Sequence, residues 1–235
     1  MLEKGIGPAG NVISIHPYCH GQPRPEREVF LRDLCRELRE ASRKHGGPEQ
    51  VVVTESGWTT YEGEMEYLKI AGGYPRSSYG HQAQFIVRMF LTSQAAGADY
   101  AIQYDFQNDG NNRTYTEHNF GLVHEDYSPK PSLMAVAAMT RILGQGRFVK
   151  DLSPNPDKAR AYLFDVNGKP VVAAYAIEGD GNLSLRTGAE ELELADLMGN
   201  RNPAAASKGV LTLSLSEAPV YVLGAAREWL LKEPR

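Results

Sequence analysis

The chain has 235 residues and a formal net charge of −4 without any basic block, so it lacks the electrostatic footprint of a nucleic-acid binder. No run approaches the roughly 18–20 apolar residues of a membrane span. The opening MLEKGIGPAG shows no charged-then-apolar export signal and leaves the protein's location undefined. Cys19 and Cys35 form no metal spacing and read as unpaired small hydrophobes.

NVISIHPY (11–18) is a short β-branched run ended by Pro17 and reads as a buried strand. The segment 25–47 follows with Val29, Leu31, Leu34, Cys35 and Leu38 at helical spacing, and Gly46-Gly47 stops it. QVVVTES (50–56) is a second buried strand. After a polar stretch rich in Gly and Tyr, HQAQFIVRMFLTSQAAG (81–97) reads as a helix, and ADYAIQYDF (98–106) as a third strand. A long polar loop then leads into PSLMAVAAMTRIL (131–143), a third helix closed by Gly144. Strand and helix thus alternate three times, and each strand is almost continuously apolar. That is the pattern of a parallel sheet covered by helices.

Beyond Gly146 the texture changes. ARAYLFDV, KPVVAAYAI, NLSLRT, ELELADL, GVLTLSLS and PVYVLG are short, often alternating runs, separated by turn dipeptides such as Asn167-Gly168. The expected organisation is α/β plus all-β: an α/β part over residues 1–146, then an antiparallel β-sandwich over 147–235 with a short C-terminal helical tail.

All three apolar strands end in polar and aromatic side chains: His16 and Tyr18 after the first, Glu55 and Trp58 after the second, and Tyr104, Asp105, Gln107, Asn108 and Asp109 after the third. Carboxyl ends of parallel strands are where α/β proteins bind ligands. Each residue alone has a plainer reading: a structural histidine, an ordinary turn before Gly110, a paired strand-end carboxylate. Three successive strand ends giving one signal favour a site. Aromatic faces beside Gln, Asn and His suit a sugar, whose ring stacks on aromatics while its hydroxyls pair with amides. They suit a phosphate or a metal poorly, because no glycine-rich loop, basic cluster or second and third ligand accompanies them. No cofactor is expected.

ISIHPY, VVVTESGW and IQYDFQNDG…EHNFGLVHEDYSPKPSLMA together resemble the last three strands of a (β/α)8 retaining glycoside hydrolase, similar to family 39 and the cellulase-like families. The resemblance covers nearly the whole chain, and TESGW with FGLVHEDYSPKP is its most specific part. It implies the last three β/α units of a TIM barrel followed by an accessory β-sandwich. It further implies that Glu55, ending strand seven, is the catalytic nucleophile. His16 and Tyr18 would orient it and touch the sugar, while Trp58, Tyr104, Asp105, Gln107 and Asn108 would line the innermost subsite. Strand eight of such enzymes often presents a tryptophan where Tyr104 or Phe106 stands here.

Retaining hydrolysis uses two carboxylates about 5–5.5 Å apart, and the family's acid/base glutamate follows an asparagine on strand four. The sequence has no Asn-Glu dipeptide, and no room before residue 11 for strands one to five. The expectation is a nucleophile-bearing C-terminal portion, inactive alone, whose partners are an oligo- or polysaccharide and the missing N-terminal barrel half. Glu117 is the only local substitute to consider, and a turn-stabilising role suits it better. Two alternatives stay open: a non-catalytic carbohydrate-binding or interaction module, and an unrelated α/β enzyme with Glu55 as general base.

Overall fold

The computed structural model describes residues 10–18, 31–62 and 77–232, as a mixed α/β chain. It divides into two compact units, 1–133 and 134–235. In the first, β1 (Ile13–Ile15), β2 (Val51–Ser56) and β3 (Tyr100–Gln103) form a parallel sheet in the order β1-β2-β3. Helix α1 (Leu31–Lys44) lies between β1 and β2 in sequence, and α2 (Tyr79–Ala95) between β2 and β3. The α1 expectation extended back to residue 25; residues 19–30, with Cys19, lie outside the described residues.

Pairing of Ile13 with Val51, and of Ile15 with Val53 and Val53 with Ala101, puts these side chains on one face of the sheet. There they pack with Leu31 and Cys35 of α1 in a single apolar cluster. Fully burying Val51 and Val53 contributes about 1.5–3 kcal/mol each, so this face fixes the register. The opposite face carries Ser14, Val52, Tyr100 and Ile102. Tyr100 is 66 % and Ile102 52 % exposed. At the amino end of the sheet, the Asp99 carboxylate accepts from the Val51 N–H and from Arg39, which also donates to the carbonyls of Glu49 and Gly97.

Helix α2 starts at Ser78, whose hydroxyl accepts from the His81 N–H at 3.1 Å. Its buried side includes Phe85, Ile86, Met89 and Leu91. Helix α3 (Pro131–Leu143) opens on a proline, which suits a first helical turn.

In the second unit, β4 (Arg147–Asp151), β5 (Ala159–Val166), β6 (Lys169–Ala176), β8 (Glu191–Ala195), β9 (Arg201–Ala205) and β11 (Val220–Leu223) form an antiparallel sheet ordered β4-β5-β6-β11-β8-β9. Strands β7 (Gly181–Arg186) and β10 (Val210–Leu215) form a second, two-stranded sheet. Leu183, Leu185, Leu211 and Leu213 of the small sheet share one core with Ala161, Leu163, Val172 and Val222 of the large one. Strands β5 and β6 turn through Asn167-Gly168, both at positive φ, which the right-handed twist of a two-residue hairpin demands. Helix α4 (Arg227–Leu230) follows, and Arg227 pairs with Asp165. Two strands escaped the pattern. RFVKD (β4) has too few apolar residues, and β9 contains Pro203, which only an edge strand tolerates.

Where β2 meets β3, Gly57 is indispensable: a Cβ there would lie 1.9 Å from the Tyr104 carbonyl oxygen. Gly57→Ala is therefore expected to destabilise the first unit by about 2–4 kcal/mol. The measurement is denaturant unfolding followed by Trp58 fluorescence in a Trp229→Phe background, which leaves Trp58 as the sole tryptophan.

Candidate active site

Because Ile15 pairs with Val53, the residues that follow each strand emerge side by side. His16 Nδ1 stands 2.9 Å from Glu55 Oε2, and both side chains keep contact with solvent. One step down, the hydroxyls of Ser14 and Thr54 bond to each other. The Tyr18 N–H donates to the His16 carbonyl at 2.9 Å, and the Ser56 hydroxyl to the Pro17 carbonyl at 3.5 Å, turning the chain after β1 back over the strand ends.

From β3, the Tyr104 N–H donates to the Ser56 carbonyl, and the Tyr104 phenol donates to Asp109 Oδ2 at 3.1 Å. Burial first, then that bond and the charges of Asp109, Asp105 and Glu117, push the phenol well above its ordinary pKa. The rings of Tyr18 and Tyr104 both set edges against Phe120, with centroids 6.3 and 5.4 Å away. Burial, reinforced by Asp109, pushes the Asp105 carboxyl up to about 6, while Lys130 and the Gln107 N–H pull it down. Its Oδ1 is buried without a hydrogen-bond partner. Glu117, in a 3-10 turn over Thr116–Asn119, is also raised, by burial and then by the negative charges of Asp109 and Glu55. Electrostatically, Glu55, Asp105, Asp109 and Glu117 form one connected group.

The loop bearing Asp105, Asp109 and Glu117 is held by two buried polar side chains. Lys130, only 1 % exposed, donates to Asn108 Oδ1 at 2.7 Å, the Asn119 carbonyl at 3.0 Å and Thr60 Oγ1 at 3.3 Å. Burial lowers its pKa to about 8, and Asp105 opposes that shift. Gln82 of α2 donates to the carbonyls of Trp58, Phe120 and Gly121, and its own oxygen accepts from Ser132.

The structure therefore brings His16, Glu55, Tyr18, Tyr104 and Asp105 to one end of the sheet. It places the other expected site residues differently. Trp58 is 3 % exposed, packed on Phe85, and offers no free face to a ligand. Gln107 donates to the Glu125 carbonyl at 2.7 Å, and Asn108 lies buried against Lys130. Sequence reasoning assigned no role to Phe120, Lys130 or Gln82. Lys130 sits in the distinctive SPKP stretch, a usable signal, whereas Gln82 looks like any polar residue of a helix.

This arrangement sits in a fold shared with glycoside hydrolases. The chain is similar to a family 39 glycoside hydrolase from the gut symbiont Bacteroides cellulosilyticus, with a TM-score of 0.78 and 25 % identity over 94 % of this chain and 46 % of that one. It is also similar to a family 30 endoxylanase from Clostridium papyrosolvens, with a TM-score of 0.58 and 11 % identity over 92 % of this chain and 49 % of the other. A family 51 α-L-arabinofuranosidase from Bifidobacterium longum gives 0.53 and 12 %, over 92 % and 54 %. The chain spans about half the length of these proteins. No protein-family model and no curated protein matches it.

The Asp105 shift has a stability consequence. A carboxyl raised from 3.8 to about 6 binds more protons folded than unfolded between those values, so stability is lost as pH rises through that window. Wild type is expected to lose stability relative to Asp105→Asn between about pH 4 and pH 6; urea unfolding across that range checks it, and parallel curves would contradict it.

Proposed function

We propose that the chain is the nucleophile-bearing C-terminal part of a retaining glycoside hydrolase acting on O-glycosidic bonds of an oligo- or polysaccharide, with Glu55 as nucleophile. The observation that carries this reading is the Glu55 carboxylate held 2.9 Å from His16 at the carboxyl end of adjacent parallel strands, in a chain of glycoside-hydrolase fold. On this reading residues 1–146 are the last three β/α units of a (β/α)8 barrel, and 147–235 an accessory β-sandwich. The open sheet face with Tyr100 and Ile102 supports it, since further strands closing a barrel would cover such a face.

The chemistry follows from the pair. With its proton on Nδ1, His16 donates to Glu55 Oε2 and leaves Oε1 free. Oε1 attacks the anomeric carbon, and the bond to the leaving-group oxygen breaks as an acid supplied by the N-terminal half protonates that oxygen. Water then cleaves the glycosyl ester, the same group acting as base. Tyr18 and Tyr104 would meet the sugar beside Glu55, with Phe120 beneath them. Asp105 takes part in this subsite, whereas Trp58, Gln107 and Asn108 support its walls. Without the second carboxylate the chain lacks a general acid, whose contribution is typically about 10²–10⁴-fold.

The test uses mechanism-based 2-deoxy-2-fluoro glycosides on the longer protein containing this chain. Peptide mass spectrometry should find the label on Glu55, and Glu55→Gln should abolish labelling. The 235-residue chain alone should show no turnover of an unactivated glycoside. Failure to label with xylosyl, glucosyl or arabinofuranosyl reagents, or robust turnover by the isolated chain, contradicts the proposal.

A further inference from the structure

The loop between β3 and α3 borders, with Tyr79 of α2, an open cavity of about 260 Å³ whose lining among the described residues includes neither Glu55 nor His16. Two asparagines form part of its wall, each nine-tenths or more buried: Asn108 at 7 % and Asn119 at 5 % exposure. Their amides are fixed in opposite senses. Asn108 Oδ1 accepts from Lys130 Nζ at 2.7 Å and from the Gly121 N–H at 3.1 Å, which leaves its Nδ2 as the unused end. Asn119 Nδ2 donates to the carbonyls of Tyr115 at 2.7 Å and Asn112 at 2.9 Å, which leaves its oxygen unused. Because these partners dictate the amide orientations, two residues lining the cavity hold between them one unused donor and one unused acceptor. The Lys130 charge on Asn108 Oδ1 polarises that amide and strengthens its N–H as a donor.

Hydroxyl groups both accept and donate, so a ring that carries several of them can serve both ends. An anion serves only the first and a cation only the second. Of the charged groups of the wall, Arg113 pairs with Glu62 at 3.5 Å and Asp126 accepts from the Ser128 N–H and hydroxyl, while Glu125 contributes a carboxylate, which repels anions and accepts from hydroxyls. Burial, seconded by Lys130, lowers the His124 pKa, which favours the uncharged imidazole at neutral pH. Tyr79, whose ring meets His124 at 5.8 Å, adds an aromatic surface. The volume lies just under the roughly 300–1,000 Å³ of pockets that enclose drug-sized ligands, enough for one ring and too little for a chain segment.

We propose that this cavity is a separate saccharide-binding site that takes one uncharged, hydroxyl-rich ring between Asn108 Nδ2 and the Asn119 amide oxygen. It stands on the two amides and does not depend on Glu55 being a nucleophile.

The test is NMR titration of the full chain with xylobiose and cellobiose, with digalacturonate and inorganic phosphate as charged comparators. The expected result is a shift of the Asn108 side-chain NH₂ resonances by a neutral disaccharide at millimolar concentration, retained in Glu55→Gln. Asn108→Asp keeps an acceptor for Lys130 and Gly121 while removing the donor, and should weaken binding at least about tenfold. The wild-type shift is read without any variant, so a folding defect in Asn108→Asp cannot mask the answer. Absence of any shift with neutral disaccharides overturns the proposal. So does a response confined to digalacturonate or phosphate, or one in which only residues around Glu55 and His16 shift. Failure to label Glu55 would remove the catalytic reading and leave this one standing.

Discussion

Everything at the carboxyl end of the parallel sheet depends on how the loop between β3 and α3 satisfies its backbone carbonyls. A loop drawn into a protein interior carries polar groups that water no longer serves, and each left unpaired costs about 1–3 kcal/mol. From helix α2, Gln82 caps two such carbonyls, those of Phe120 and Gly121, together with the Trp58 carbonyl after β2, and Lys130 reaches that of Asn119 while holding Asn108. Phe120 can then sit 1 % exposed with Tyr18 and Tyr104 against its ring. The platform beside Glu55 is thus assembled by polar side chains that never face the site.

Lys130 illustrates why such an anchor is retained despite its expense. A buried ammonium is strongly penalised, and its pKa falls to about 8. Its three hydrogen-bond acceptors are all neutral, and its electrostatic partner, Asp105, interacts by charge alone. Asp105 is itself held up at about 6. Burial opposes both charges, and their mutual attraction offsets only part of that cost. Groups that titrate away from their usual ranges cluster at functional sites.

Much of this was legible in the sequence. VVVTES reads as a buried strand, but a continuous apolar run does not say which valines face α1; the pairing with Ile13, Ile15 and Ala101 decides that. Helix α3 coincides with the residues whose periodicity announced it, 131–143, and Asn167-Gly168 marked its hairpin by conformational necessity. The neighbouring positions of His16 and Glu55 followed from parallel strands of similar apolar length. What the pattern could not convey was which aromatics turn inward. Trp58 follows Glu55 by three residues, where strand alternation has already broken down around Gly57, and its direction is decided by Phe85 of a helix distant in sequence. Gln82 was silent for a related reason: its role is defined by carbonyls 24 to 39 residues away, and no local pattern encodes that.

The distribution of charge at the strand ends bears on the proposed chemistry. Glu117 feels Asp109 and Glu55, Tyr104 feels Asp105, Asp109 and Glu117, and Asp105 feels Asp109. Among the described residues, Lys130 acts on Asp105 as a cation, and it lies beneath the surface. Such an excess of negative charge repels further anions and raises the carboxyls it contains. It favours any species that gains positive charge as it reacts, because the surrounding oxygens are already in place and need not reorganise. Glycoside cleavage passes through a transition state of that kind, with oxocarbenium character at the anomeric carbon. An acidic mouth is costly for the resting fold and useful for that one step. Phosphoryl transfer, whose charge development has the opposite sign, would be hindered by the same residues. On the proposed reading, the charge gathered at the strand ends suits glycosyl transfer.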